Sequence, residues 1–119
     1  MAETKQKPRI DVVDLSETLE VLFNGEIITR SSRAKVLFEG SLPARYYVPA
    51  SDVRLELLRP TATKTHCPWK GEANYFSIEV GGKVAEDAVW SYRNPIPEMT
   101  KIAGLLSFYP ERVDKLHLV

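Results

Sequence analysis

The chain has 119 residues, of which 44% are hydrophobic and 27% are charged, and its formal net charge is zero. A length below the roughly 150 residues of a typical domain predicts one domain, and the composition is that of a globular protein rather than a disordered one. No apolar run approaches the ~18 residues of a membrane-spanning helix, and the balance of acidic and basic residues argues against a general nucleic-acid-binding role.

Two tight hairpins are the clearest predicted elements. Residues 19–23 and 26–29 flank the pair Asn24-Gly25. An Asn-Gly pair between β-branched and aromatic runs indicates a two-residue turn, because both turn residues need a positive φ angle. Residues 73–80 run into Gly81-Gly82, which predicts a second hairpin.

Further short strands follow, with turn signals about every 8–12 residues. They are predicted from residue 9 onward and at 33–38, 45–48, 53–57, 83–85, 88–92 and 105–109, with 61–64 as an edge strand or loop, a turn or single helical turn at 50–52 and a short helix at 98–102. Residues 53–57 alternate apolar and charged side chains, as a half-buried strand does, and Pro60 is expected to end that strand. From Leu116 we expect a short apolar tail. The pattern predicts a mainly β domain of curled, packed sheets over residues 9–119, preceded by a flexible tail over residues 1–8 that lacks the apolar stretch of a signal peptide.

Basic residues are concentrated in the middle of the chain. Residues 30–70 contain eight Lys and Arg side chains, among them Arg33, Arg45 and Arg54, against three acidic ones. If the fold gathers these cations they form an anion-binding face, whereas alternating strands would spread them over a solvated surface.

Cys67 is the only cysteine, so the chain cannot form an internal disulfide, which favours a reducing compartment and predicts a cytoplasmic protein. A structural zinc site usually needs four Cys or His ligands, and the chain offers only Cys67, His66 and His117. We therefore predict no metal site within the chain.

The segment from Thr65 to Gly71 places a cysteine, a cation, an indole and a glycine between two predicted strands. Pro68 fixes its own φ angle and biases Cys67 towards an extended conformation, while Gly71 permits a sharp turn. A rigid loop of this kind suits a ligand site. The alternative is a structural loop in which Cys67 is a small buried hydrophobe.

Four motifs occur in a fixed order along most of the chain. They are Phe23-Asn24-Gly25-Glu26, Tyr47-x-Pro49-x-x-Asp52-Val53, Thr65-x-Cys67-Pro68-x-Lys70-Gly71-x-Ala73-x-Tyr75 and Ala88-x-Trp90-Ser91-Tyr92-x-x-Pro95, followed by Ile102-Ala103-Gly104 and Phe108-Tyr109-Pro110. With them the chain resembles, over roughly residues 18–115, the bacterial family called domain of unknown function 427. The resemblance implies a small mainly β fold similar to the β-tent (Mss4-like) arrangement of two mostly antiparallel sheets with one or two short helices. Relatives of that arrangement often hold zinc with paired cysteines, which this sequence lacks.

The same family is sometimes labelled nucleotidyltransferase-like, which makes an enzyme the alternative function. Nucleotidyl transfer needs carboxylates that hold Mg²⁺ beside phosphates, yet the chain has no Asp-x-Asp pair and no phosphate-binding loop. On a strand, the adjacent Glu86 and Asp87 would point to opposite faces. A nucleophilic Cys67 is the other enzymatic option, with Lys70 lowering the thiol pKa, but it needs a base in reach, and the neighbouring His66 would point away from it.

We favour a small-ligand-binding or interaction module whose site surrounds the Thr65–Gly71 segment. In this hypothesis Cys67 and Lys70 contact a small anionic or heterocyclic ligand between aromatic walls, and Asp52 orients Lys70 or an arginine. The predicted binding residues are Tyr47, Asp52, Thr65, Cys67, Lys70, Trp90 and Tyr92. The sequence does not identify a cofactor. A homodimer with Trp69 buried between the chains is a third alternative.

Overall fold

A computed structural model describes residues 7–119, which form ten strands and four short 3-10 turns. Most of the predicted flexible tail, residues 1–6, lies outside the described residues. The strands are β1 (Ile10–Asp14), β2 (Leu19–Phe23), β3 (Glu26–Ser31), β4 (Lys35–Glu39), β5 (Arg45–Val48), β6 (Leu58–Cys67), β7 (Gly71–Val80), β8 (Lys83–Ser91), β9 (Leu106–Phe108) and β10 (Lys115–Leu118). The 3-10 turns are Ala50–Asp52, Leu55–Leu57, Pro97–Ile102 and Pro110–Arg112.

The strands form two antiparallel sheets, which confirms the predicted mainly β fold. The larger sheet has seven strands in the order β1-β4-β5-β9-β8-β7-β6, and the smaller has three in the order β10-β2-β3. The short helix predicted at 98–102 is present as the 3-10 turn Pro97–Ile102, and the turn or single helical turn predicted at 50–52 is the 3-10 turn Ala50–Asp52. In the described part of the chain, no helix has the length and hydropathy that crossing a bilayer requires.

Both predicted hairpins are present, and their turn residues have the expected backbone angles. Asn24 and Gly25 have φ angles of 48° and 81°, and Gly81 and Gly82 have φ angles of 56° and 81°. The two turns also touch, because the Asn24 side-chain amide donates to the carbonyl of Val80 at 2.8 Å. This bond joins the smaller sheet to the larger one at one end of the molecule.

Residues 53–57 do not form the strand that their alternation predicted. Val53 makes one isolated bridge with Thr29, and the chain then turns, as the Leu57 amide donates to the carbonyl of Arg54 at 3.0 Å. Alternating apolar and charged residues indicate only that side chains point to two sides of the chain. Here no neighbouring strand of the described residues extends the bridge between Val53 and Thr29 into a hydrogen-bonded ladder.

Two further predictions need correction. The expected stop at Pro60 is wrong, since β6 runs through it. Because β6 is an edge strand, the missing amide hydrogen of a proline costs little there. The expected tail after Leu116 is instead β10, which pairs with β2. The edge-strand alternative for residues 61–64 is confirmed.

The two faces of the larger sheet have different surroundings. One face and the smaller sheet share an apolar core that includes Leu19, Ile28, Val48, Val89 and Phe108. The other face carries a second cluster, rich in aromatic rings, which is flanked by Met99 and Ile102 from the Pro97–Ile102 turn. Alternation along each strand produces this division.

Candidate functional site

A cavity of about 230 Å³ opens on the aromatic face of the larger sheet, and we call it the aromatic cavity. Its walls come from strands β4, β5, β7 and β8 and from the loops beside them. The lining residues are Leu37, Glu39, Leu42, Pro43, Arg45, Tyr47, Lys70, Tyr75, Trp90, Tyr92 and Tyr109. Five of these side chains are aromatic, and three carry a formal charge.

A small buried residue, Ser107, lies in the sheet between two of the large residues that line the cavity. Ser107 on β9 pairs with Tyr47 on one side and with Trp90 on the other, so all three side chains share a face. Above the small serine the Trp90 indole nitrogen donates to the Tyr47 hydroxyl at 3.2 Å, with the rings at 87° and their centroids 6.1 Å apart. Within residues 7–119 the buried Ser107 hydroxyl has no hydrogen-bond partner.

The tyrosine wall is held by hydroxyl contacts. The Tyr75 hydroxyl lies 2.9 Å from the Thr65 hydroxyl and 3.4 Å from the Tyr109 hydroxyl. Tyr109 in turn packs on Trp90, with ring centroids 4.4 Å apart. Thr65 is therefore a supporting residue behind the wall, since it contacts Tyr75 but does not line the cavity.

Lys70 is placed by the tight turn that joins β6 to β7. Its amide donates to the carbonyl of Cys67 at 3.1 Å, and its carbonyl accepts from the amide of Ile96 at 3.0 Å. The following Gly71 has a φ angle of 119°, and a Cβ atom there would lie 3.3 Å from the Cα atom of Pro95. Glycine is needed at this position, because the backbone of residues 94–96 passes so close.

The Lys70 side chain forms a buried ion pair inside the aromatic cavity. Its ammonium donates to the carboxylate of Glu39, and the two side chains are only 9% and 14% exposed. Each charge therefore has its counter-charge within the protein, as buried charges require.

Arg45 is the second cation of the cavity, and its guanidinium lies beside aromatic rings rather than beside a carboxylate of the described residues. Its guanidinium carbon lies 5.5 Å from the ring centre of Trp90 and 5.4 Å from that of Tyr109, distances typical of cation–π contacts. Among residues 7–119 no carboxylate forms an ion pair with it. The cavity as a whole thus carries one uncompensated positive charge.

Burial makes three tyrosine hydroxyls of the cavity, those of Tyr47, Tyr92 and Tyr109, harder to ionise. It raises the pKa of Tyr47 and of Tyr92 well above the ordinary tyrosine range, and it raises the pKa of Tyr109 to about 12. At neutral pH these hydroxyls are neutral and can each donate a hydrogen bond.

The structure gathers four of the seven predicted binding residues in the cavity lining, namely Tyr47, Lys70, Trp90 and Tyr92. Cys67 is a free, half-buried thiol outside that lining. It lies close enough that a charge on its sulfur would raise the pKa of Tyr47 and Tyr92.

Asp52 lies in another part of the molecule. Its carboxylate accepts hydrogen bonds from Ser31 at 2.6 Å and from Arg33 at 2.8 Å. These contacts lower the pKa of Asp52, the bond from Arg33 most strongly. Asp52 does pair with an arginine, but that arginine is not in the cavity lining.

Glu39 and Tyr109 were not predicted as site residues. Glu39 precedes its partner Lys70 by 31 residues, and no local pattern connects the two. Tyr109 belongs to the motif Phe108-Tyr109-Pro110, which could have pointed to it. Within residues 7–119, no three His, Cys, Asp or Glu side chains are grouped closely enough to hold a metal ion together.

Comparison with known proteins gives one finding. The sequence model of a family described as domain of unknown function (DUF427), whose short label refers to nucleotidyl transfer, matches residues 11–118. A search of curated proteins finds no match. The matched range includes every residue of the aromatic cavity.

Proposed function

The chain belongs to the DUF427 family, and we propose that it is a binding module that takes a small, ring-containing anion into the aromatic cavity. One observation carries this proposal: five aromatic side chains surround a cavity in which the guanidinium of Arg45 is the only charge without an ion-pair partner among residues 7–119. Flat rings with polar tips favour a flat ligand, and the unpaired cation favours a negative group on it.

The volume of the cavity limits the size of the ligand. At about 230 Å³ it is larger than the roughly 150 Å³ that holds benzene in an engineered cavity, and it is smaller than the roughly 300 Å³ at which pockets for drug-sized molecules begin. A single ring with one short substituent fits this range.

The charges give the two cations different roles. Glu39 already compensates Lys70, so an incoming anion gains most from Arg45, whose planar fork matches a carboxylate. The Lys70 ammonium has three N–H donors and can offer another to a polar atom of the ligand. Tyr47, Trp90 and Tyr92 form the walls.

The proposed role is binding rather than catalysis. A nucleophilic thiol needs a base within hydrogen-bond reach, and none of the side-chain hydrogen bonds within residues 7–119 links Cys67 to one. Because the chain has a single cysteine, we place the module in the cytoplasm.

Titration of Trp90 emission with small aromatic acids tests the proposal. The chain has two tryptophans, so the Trp69→Phe variant leaves Trp90 as the only indole. Benzoate and nicotinate are compared with their neutral amides in this background. We expect the acids to bind more tightly than the amides, and Arg45→Gln to weaken acid binding by about tenfold, since a charge-assisted hydrogen bond is lost.

Arg30→Gln is the matched control, since Arg30 is 62% exposed and does not line the aromatic cavity. It should leave acid binding unchanged. Equal losses for acid and amide in Arg45→Gln, or no response to either acid, would contradict the proposal. Sedimentation of the wild type beside Trp69→Phe tests whether Trp69 joins two chains, as the dimer alternative holds.

A further inference from the structure

A second cavity lies on the opposite face of the larger sheet. Two pairs of successive residues divide between the two cavities: Tyr75 and Phe76, and Trp90 and Ser91. The second cavity, which we call the apolar cleft, has a volume of about 340 Å³. Its main walls are Ala50, Leu55, Leu58, Pro60, Phe76 and Leu106.

The apolar cleft differs from the aromatic cavity in its chemistry. Most of its lining is aliphatic, Phe76 is its only aromatic ring, and Leu55 is 50% exposed at its side. An open apolar surface of this kind is unfavourable in water unless something covers it. The shape and composition favour a flexible aliphatic chain over a flat ring.

Two polar groups lie in this otherwise apolar lining. Arg93 is the only ionisable residue of the apolar cleft, and its guanidinium carbon lies 5.7 Å from the ring centre of Phe76. Ser91, two residues earlier, is 2% exposed and contributes the only hydroxyl.

Within the described residues, the charge of Arg93 has no counter-charge. No carboxylate among residues 7–119 pairs with it, whereas two other arginines near the apolar cleft are paired, Arg54 with Glu26 and Arg59 with Glu79. A guanidinium at the border of an apolar surface matches a ligand that has an apolar body and one negative end.

We propose that the apolar cleft binds an aliphatic monocarboxylate. The hydrocarbon chain covers Leu55, Leu58 and Phe76, and the carboxylate accepts hydrogen bonds from the guanidinium of Arg93 and from the hydroxyl of Ser91. This site is separate from the aromatic cavity, so it stands whether or not that cavity binds aromatic acids.

Calorimetry with butanoate, pentanoate and hexanoate tests this inference, with hexan-1-ol and hexylamine as the neutral and cationic analogues. Each added methylene should strengthen carboxylate binding by about fourfold, which corresponds to roughly 0.8 kcal/mol of buried CH₂. Hexanoate should bind about tenfold more tightly than hexan-1-ol because it alone receives charge-assisted hydrogen bonds, and hexylamine should bind least.

Arg93→Gln should bring hexanoate down to the affinity of hexan-1-ol, while the paired Arg59→Gln, the matched control, leaves the difference intact. Ala50→Leu, which fills part of the apolar cleft, should weaken both hexyl ligands together. Amide resonances of Leu55 and of Gly104, which also lines the apolar cleft, should shift on hexanoate binding. No hexanoate binding, an unchanged preference for hexanoate in Arg93→Gln, or shifts confined to the aromatic cavity would overturn the inference.

Discussion

The two faces of the seven-stranded sheet are built by the same strands but differ in composition. Phe108 and Tyr109 are neighbours in the chain, yet Phe108 packs into the core shared with the smaller sheet and Tyr109 lines the aromatic cavity. The face that meets the smaller sheet carries a mostly aliphatic core, and the apolar cleft opens at the edge of that core. On the other face, the rings have polar tips and surround a buried ion pair. Strand alternation therefore lets successive residues of a small domain contribute to an aliphatic core on one face and to an aromatic cavity on the other.

The unsatisfied groups of the larger sheet's middle strands also lie on one face. The Ser107 hydroxyl, without a partner among residues 7–119, and the unpaired guanidinium of Arg45 are both on the aromatic face. A buried polar group without a hydrogen bond costs about 1–3 kcal/mol. Such a cost at Ser107 is tolerable beside a binding cavity, because the aliphatic core supplies the stability.

The largest expected difference between the two faces comes from truncating Phe108 and Tyr109 separately. Phe108 is 2% exposed, so Phe108→Ala should cost about 4 kcal/mol in the free energy of unfolding through the lost burial and the cavity left behind. The folded fraction should still bind benzoate with its wild-type dissociation constant. Urea unfolding and calorimetric titration measure the two effects.

Tyr109→Ala should affect benzoate binding more than stability. Its ring is half-buried and contacts Trp90 and Arg45, so we expect about a tenfold loss of benzoate affinity and a smaller loss of stability than in Phe108→Ala. Equal effects of the two substitutions on stability and on binding would show that the two faces do not have separate roles.

The buried ion pair gives the second test. Lys70→Ala leaves Glu39 buried without its counter-charge, and we expect a loss of about 3 kcal/mol in the free energy of unfolding. Lys70→Met combined with Glu39→Leu removes both charges and should restore stability to within about 1 kcal/mol of the wild type. Urea unfolding of the three proteins measures this.

Measuring benzoate affinity should separate the role of the Lys70–Glu39 pair in binding from its role in stability. The double variant regains stability but loses an ammonium donor and gains apolar bulk in the cavity, so benzoate binding should not recover with it. A double variant that binds benzoate as the wild type does would mean that Lys70 and Glu39 serve the fold alone.

The sequence predicted those parts of the fold whose signals are local. Asn24-Gly25 and Gly81-Gly82 impose their turns through their own backbone preferences, and both hairpins were predicted correctly. β10 was missed because its pairing with β2 joins residues about 90 positions apart, which no local pattern reports. Residues 53–57 were misassigned because alternation does not reveal whether a partner strand exists.

The candidate site shows the same limit. Tyr47, Lys70, Trp90 and Tyr92 were selected because each stands in a distinctive motif, and the fold brings all four to one cavity. Glu39 lies next to an ordinary turn, and only the three-dimensional structure shows it opposite Lys70. The partners of a buried charge are therefore the least predictable part of such a site.

The smallest expected effect is on the pH dependence of stability, which reports on the buried tyrosines of the aromatic face. Burial raises the pKa of Tyr109 to about 12, and those of Tyr47 and Tyr92 also lie above the value near 10 of an unfolded tyrosine. Above about pH 10 the unfolded chain therefore releases protons that the folded chain keeps, so the stabilising contribution is complete below about pH 10 and is lost as the pH rises towards about 12. Urea unfolding from about pH 9 to about pH 11.5 should show this decline, and Tyr109→Phe, which cannot ionise at that position, should make it shallower. An equally steep decline in Tyr109→Phe would show that Tyr109 does not contribute to it and would leave only Tyr47 and Tyr92 as the titrating groups of the aromatic cavity.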